Sequence, residues 1–311
     1  VDSGSLFARP GDNLDTTQKA QAIKCERNKY GTFAEIGAGQ EVARWCFQVG
    51  GAAGTVAKSM SAYDMAVSDA IYGNAERYVS QDRLLHMLDH EYDLLHERLS
   101  ADRGGETRFF VYANTVSARS FSHQQDGQGW MGIRFQANPM APPNDIIMHV
   151  RLLDEENLKQ QEAVGILGVN LVHGAMEYPD DPHRILEELL DCLEPWRAEV
   201  GMLRFSGPDF EAVDNRIMAL ELVQQGHAKA TLFNADGEVV HPTEVLYHKP
   251  IIVERGSFRP VIHTTLHMLQ SGMAQFVREQ KVNGKELTVL FEMTLQKLTD
   301  SGVIDHQDFL D

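Results

Sequence analysis

The first clear pattern along the chain is an apolar run that enters a pair of glycines and leaves as a helix. Phe33, Ala34 and Ile36 suit a short strand, and Gly37 and Gly39 allow a tight turn or a close approach to a ligand. Val42, Ala43, Trp45, Cys46 and Val49 then recur at helical spacing until Gly50, Gly51 and Gly54 stop the run. Such a turn presents unpaired helix N-terminal N–H groups, which favour phosphate or carboxylate.

Downstream patterns predict alternating helices and strands. Leu84, Leu85, Leu88, Tyr92, Leu95 and Leu99 form one stripe, with Asp82, Asp89, Asp93 and Glu97 on the remaining positions, so 81–99 is an amphipathic helix. Phe109–Tyr112, Trp130–Gln136, Ile146–Leu153 and Gly201–Phe205 suit strands, and helices are expected over 155–176, 183–193 and, capped by Asp214, 217–226. Thr231–Val240 is a hairpin around Asp236-Gly237, followed by a strand at 250–253, a helix at 264–279 and a strand at 287–291. Lys58–Asp64 fits either a short strand or the opening of a helix.

This interleaving predicts an α/β fold, a mixed sheet covered by helices. Residues 1–29 read as a polar N-terminal arm with a turn at Pro10 to Asn13, and 30–194 as the α/β core. Residues 195–311 read as a second, smaller lobe or a continuation of the same domain.

Composition narrows the function classes. A formal net charge of −17 on 311 residues argues against broad nucleic-acid or anionic-membrane binding, which need a positive surface, while 43% hydrophobic content suits a packed core. No run approaches the roughly 20 apolar residues of a membrane span. Cys25, Cys46 and Cys192 are far apart and odd in number, so neither a disulfide framework nor a thiolate zinc site is signalled, and a cytoplasmic setting is expected. No basic-then-apolar leader is visible, and without an initiator Met the true start is expected upstream.

Candidate chemistry centres on anions. Gly37-Ala-Gly39 falls short of a dinucleotide fingerprint because Val42 stands where the third glycine or alanine belongs. Close helix–strand packing is the plainer account of the two glycines. Ser59, Ser61 and Asp64 follow the glycine stretch, where small hydroxyls can donate to an anion. Arg119, Arg134, Arg151, Arg255 and Arg259 are expected at strand ends or loops, and guanidinium forks suit phosphate and carboxylate. Ser257 in Glu254-Arg-Gly-Ser-Phe-Arg259 also fits a ligand loop, and Arg255 and Arg259 are expected to share an anion site with Gly37 and Gly39. The plainer alternative pairs each arginine with a nearby acid. The thirteen histidines contain no HExxH, so no metal is expected; His149 and His173, inside apolar elements, read as hydrogen-bonded core residues. GxSxG and GxxxxGK[ST] are absent from the sequence, which removes ordinary serine hydrolases and P-loop enzymes.

Several blocks carry a family resemblance: Gly31–Arg44, Ala57–Met65, Gly129–Gln136 and Val253–Pro260. Together they resemble a bacterial and plastid-lineage family whose members bear the names TonB-dependent receptor or nicotinate-nucleotide adenylyltransferase and extend past the position of Asp311. The receptor name implies an exported barrel, against which the amphipathic helices speak. The adenylyltransferase name implies a nucleotide-binding α/β fold with an HxGH-type motif; Gly31-Thr-Phe33 is followed by Ala-Glu with no such histidines, so a nucleotide link carries over and no catalytic residue does.

The expectation is a protein binding a nucleotide or phosphorylated small molecule, with small anionic ligands as partners and an enzymatic role open. The alternative is a non-catalytic ligand sensor or scaffold that forms a homo-oligomer. No cofactor is specified by the sequence.

Overall fold

In the computed structural model, which describes residues 14–119, 126–258, 260–279, 282, 284–299, 302 and 304–310, the chain separates into two compact units, Val1–Thr231 and Leu232–Asp311. The first is built on a six-stranded sheet in the order β2-β1-β3-β4-β5-β6, comprising β1 (Lys29–Ile36), β2 (Val56–Met60), β3 (Arg108–Ser117), β4 (Gly127–Phe135), β5 (Asn144–Leu152) and β6 (Ala198–Ser206). β1 is parallel to β2 and β3, whereas β3-β4, β4-β5 and β5-β6 pair antiparallel. The sheet is open, and the receptor label gains no support from it. The stretch after Pro195 thus continues the first sheet through β6.

Helices cover both faces. α4 (Gln81–Arg103) packs on β1, β3 and β4, burying Leu84, Met87, Leu88, Tyr92 and Leu95, and α3 (Met65–Tyr72) packs against α4. On the other face, α5 (Asn157–Glu177) lies against β4 and β5, and α1 (Thr16–Cys25) and α2 (Glu41–Gln48) pack against α5. Contact with the sheet and with α1 and α2 together explains why α5 is buried continuously from Ala163 to Met176. Gly168 makes room for it: a Cβ there would meet Val42 Cγ2 at 2.2 Å and the Tyr112 hydroxyl at 2.8 Å. α6 (Pro182–Glu188) packs against α5 and α7 (Asn215–Gln224), and α7 against β6.

The expected N-terminal arm contains a helix instead. Asp15 accepts from Gln18 N–H at 2.8 Å while the Gln18 side chain accepts from Asp15 N–H at 2.9 Å, a reciprocal cap that starts α1. Ala20 and Ile23 are buried, and the fully buried Lys19 ammonium reaches Asp191 at 2.7 Å and Glu188 at 3.4 Å. Glu188 also accepts from Arg184 and faces His173 Nδ1 at 3.2 Å. Both core histidines are engaged as expected, His149 with Gln128 and His173 with Glu188. Around Lys58–Asp64 both open readings occur in succession: β2 ends at Met60, and Asp64 caps α3.

The second unit holds a short hairpin, β7 (Leu232–Phe233) with β8 (Val239–Val240), turned at Gly237 with φ 80°. α8 (Pro242–Val245) follows. β9 (Ile251–Arg255) and β10 (Thr288–Glu292) pair in parallel, connected through α9 (His263–Phe276), which packs on β9. α10 (Leu295–Thr299) and α11 (His306–Leu310) complete it.

Candidate functional site

β2 and β3 lie on opposite sides of β1, so the connection after β1 leads to one side and the connection after β2 crosses to the other. The chain therefore changes direction at the carboxyl ends of β1 and β3, where open α/β sheets leave a crevice that takes ligands. Ile36 is level with Thr115 and Ala34 with Met60, so the residues that follow β1, β2 and β3 emerge at one edge. Gly37, Gly39, Ser61, Asp64 and Arg119, chosen from sequence alone, all follow these three strand ends. Ser59 lies lower on β2, level with Phe33, and its Oγ is buried without a hydrogen-bond partner among the described residues.

The glycine turn owes its shape to contact with β3. Gly37 has φ 101°, and a Cβ on it would lie 1.9 Å from the Val116 carbonyl oxygen. Gly39 is also at positive φ, 82°, before α2 begins at Glu41. Tyr63, exposed after β2, donates its hydroxyl to the Gly37 carbonyl at 2.8 Å and ties the second loop to the first.

Beneath the turn lies a buried carboxylate to which the sequence reading gave no role. Glu35 is fully buried and accepts from Ala43 N–H at 2.9 Å, from Val42 N–H at 3.2 Å and from Asn114 Nδ2 at 3.3 Å. Burial pushes its carboxyl up to about 7, against the lowering effect of those donors. Asn114 also donates to the Tyr112 hydroxyl and, through Oδ1, accepts from Ile36 N–H. The first-turn donors of α2 at Val42 and Ala43 are therefore satisfied from inside, which leaves the turn residues before α2 as the backbone available to a ligand. Glu41 flanks that turn, paired with Arg44 at 2.9 Å.

Arg119 follows β3 at this edge. Its backbone is fixed by the fully buried Gln160, which accepts from Arg119 N–H at 2.7 Å and donates to Asp154 O at 2.8 Å, and by Asn157, which donates to the Arg119 carbonyl. Among the described residues its guanidinium makes no hydrogen bond or ion pair. Asp64 is exposed and accepts from Val67 N–H at 3.2 Å. Arg134 and Arg151 follow the plainer alternative, Arg134 binding Asp89 and Asp145, and Arg151 binding Asp126 and Glu199.

Arg255 and Ser257 belong to the second unit. One guanidinium nitrogen of Arg255 donates to both oxygens of Glu292, its neighbour across β9 and β10, at 2.7 and 2.9 Å. Ser257 is exposed after β9, and Arg259 lies outside the described residues.

Two signals in the sequence pointed to what was missed: an acid inside the apolar run Phe33–Ile36, and Asp15 followed three positions later by Gln18.

No protein-family model matches the chain, and no curated protein matches its sequence. Partial likenesses to solved structures exist. A competence-damaged protein (CinA) superfamily protein from Klebsiella pneumoniae gives a TM-score of 0.38 at 14% identity, over 52% of this chain and 96% of that one. A competence/damage-inducible protein, CihA, from Agrobacterium tumefaciens gives 0.35 at 13% identity, over 50% of this chain and 93% of that one. The competence damage-inducible protein A from Klebsiella pneumoniae subsp. pneumoniae gives 0.38 at 12% identity, over 53% and 99%. At such scores the likeness carries neither the fold nor an activity to this chain.

Proposed function

We propose that the chain binds a nucleotide or another phosphorylated small molecule in the crevice formed by the carboxyl ends of β1, β2 and β3. The observation that carries this reading is Arg119, a guanidinium without a protein partner among the described residues, at the edge where the chain changes direction beside a glycine turn. Backbone N–H groups of the turn would hold one side of a phosphoryl group and Arg119 the other. Ser61 adds a hydroxyl donor at the same edge. Asp64 is the exposed acid closest in sequence to these groups and would take a ligand hydroxyl. The reading includes a cytoplasmic setting, in keeping with three free cysteines.

A calorimetric screen of nucleotides and phosphorylated metabolites tests it. Arg119→Ala should weaken whichever compound binds by about 10-fold or more, the loss of one charge-assisted hydrogen bond of about 1.5–3 kcal/mol. Undiminished affinity in that variant, or no binding at millimolar concentration across the screen, ends the proposal.

A scaffold role remains the second reading, favoured by the exposure of Leu266, Met268, Val277 and Phe291 in the second unit. Sedimentation showing a monomer at every accessible concentration would remove self-association from it.

A further inference from the structure

At the opposite edge of the sheet, before β1 begins, basic side chains gather around an open cavity. Lys24 from the last turn of α1, Arg27 from the loop after it and Arg103 from the last turn of α4 line a cavity of about 480 Å³ with Cys25, Gly51 and Gly54. A second cavity of about 590 Å³ shares Arg27 and Arg103 and adds Asn28, Asp102, Glu106 and Thr107. Both volumes lie in the range of small-molecule sites.

The ordinary explanation for cations here is that they answer the negative ends of helices. It accounts for Lys24, whose ammonium donates to the Val49 carbonyl just past α2 at 3.0 Å. It also covers the position of Arg103, in the last turn of α4, but not Arg27, and it gives neither guanidinium an acceptor. Among the described residues neither guanidinium donates a hydrogen bond or meets a carboxylate; Arg103 instead lies over the Tyr30 ring, 3.9 Å from its centroid, and Arg27 is exposed. In the first cavity, which no carboxylate among the described residues lines, Lys24, Arg27 and Arg103 bring like charges together and the arginines' forked donors are left to solvent, in a chain whose net charge is −17. Gly51 and Gly54 keep the opposite wall low: Gly51, at φ 63°, leaves space for the Lys24 stem, and a Cβ on Gly54 would meet nothing within 4 Å.

We infer that this cleft is an anion-binding site for a phosphorylated sugar. The phosphoryl group sits among Lys24, Arg27 and Arg103, where only cations contribute charge. The sugar extends into the adjoining cavity, where Asp102, Glu106, Asn28 and Thr107 offer acceptors and donors suited to hydroxyls. The purely basic first cavity and the mixed second one set this polarity. The site is separate from the crevice at the carboxyl ends of the strands and does not depend on the reading of that crevice.

Cys25 supplies a local reporter, because its exposed thiol lines the first cavity while the exposed Cys192 lies elsewhere. Alkylation of the intact protein by iodoacetamide, followed by peptide mass spectrometry, would be measured with ribose 5-phosphate, orthophosphate or neither. Millimolar ribose 5-phosphate should slow modification of Cys25 several-fold and leave Cys192 unchanged, and orthophosphate should protect less at equal concentration. Arg27→Ala and Arg103→Ala should each abolish protection with little change in melting temperature, whereas Arg119→Ala should leave it intact. Equal Cys25 rates with and without the sugar phosphate would overturn the inference, as would protection that survives in both arginine variants. Equal protection by orthophosphate would remove the sugar from it and leave an inorganic anion site.

Discussion

The Glu35 carboxylate lies 2.9 Å from the backbone nitrogen of Ala43, so the first turn of α2 is capped by an acid buried in the preceding strand. This contact fixes the direction in which α2 leaves the glycine turn. It also loads the turn with a titrating group, since burial brings Glu35 up to about 7.

Stability should therefore depend on pH in the direction set by a raised acid. The folded protein holds the Glu35 proton more tightly than the unfolded chain, whose carboxyl titrates near 4.5, so its contribution is fully present below about 4.5 and is lost as pH rises through about 7. The size of the loss is about 3 kcal/mol. Urea denaturation at intervals between these pH values measures it. Glu35→Gln, which cannot ionise, should flatten this limb of the profile; an unchanged slope in the variant would assign the pH dependence elsewhere.

Glu188 should produce the opposite limb at lower pH. Burial works against its charge, but His173, Lys19 and Arg184 outweigh it and hold the carboxyl down at about 2. Its contribution is present above the ordinary value of 4.5 and is lost as pH falls through about 2. Glu188→Gln should lower stability at pH 5 to 6 and lose the acid limb, read by the same denaturation series.

Lys19→Met should be severely destabilising despite its similar size. It leaves Glu188 and Asp191 without the ammonium that lies 3.4 and 2.7 Å from them inside the fold. Breaking such a buried pair costs about 3–5 kcal/mol. Urea midpoints within error of the parent would mean that α1 is not anchored through this contact.

Gly37→Ala should fail for reasons of space and backbone conformation together. Its φ of 101° disfavours any side chain, and the new Cβ would overlap the Val116 carbonyl oxygen. Strained backbone of this kind costs of order 1–3 kcal/mol before the steric overlap is added. The variant should express poorly or melt well below the parent, whereas Gly54→Ala, with open space around it, should be nearly neutral.

Much of this protein was legible along the chain because its elements announce themselves locally. The α4 stripe, the glycine stop after α2, the Asp214 cap and the Asp236-Gly237 turn each depend on neighbours within a few residues, and each occurs as expected. α1 was readable too, through Asp15 and Gln18, but its polar composition concealed that one face is buried against α5. The sequence by itself determined an α/β protein with a glycine turn between β1 and α2. Only the tertiary structure decided that Asn114 meets Glu35, that Gln160 fixes Arg119, and that Arg27 and Arg103 share a cavity. The physical reason is separation: local hydrogen bonding and periodicity act over three or four residues, whereas partners 79 and 41 positions apart are chosen by strand order and helix packing.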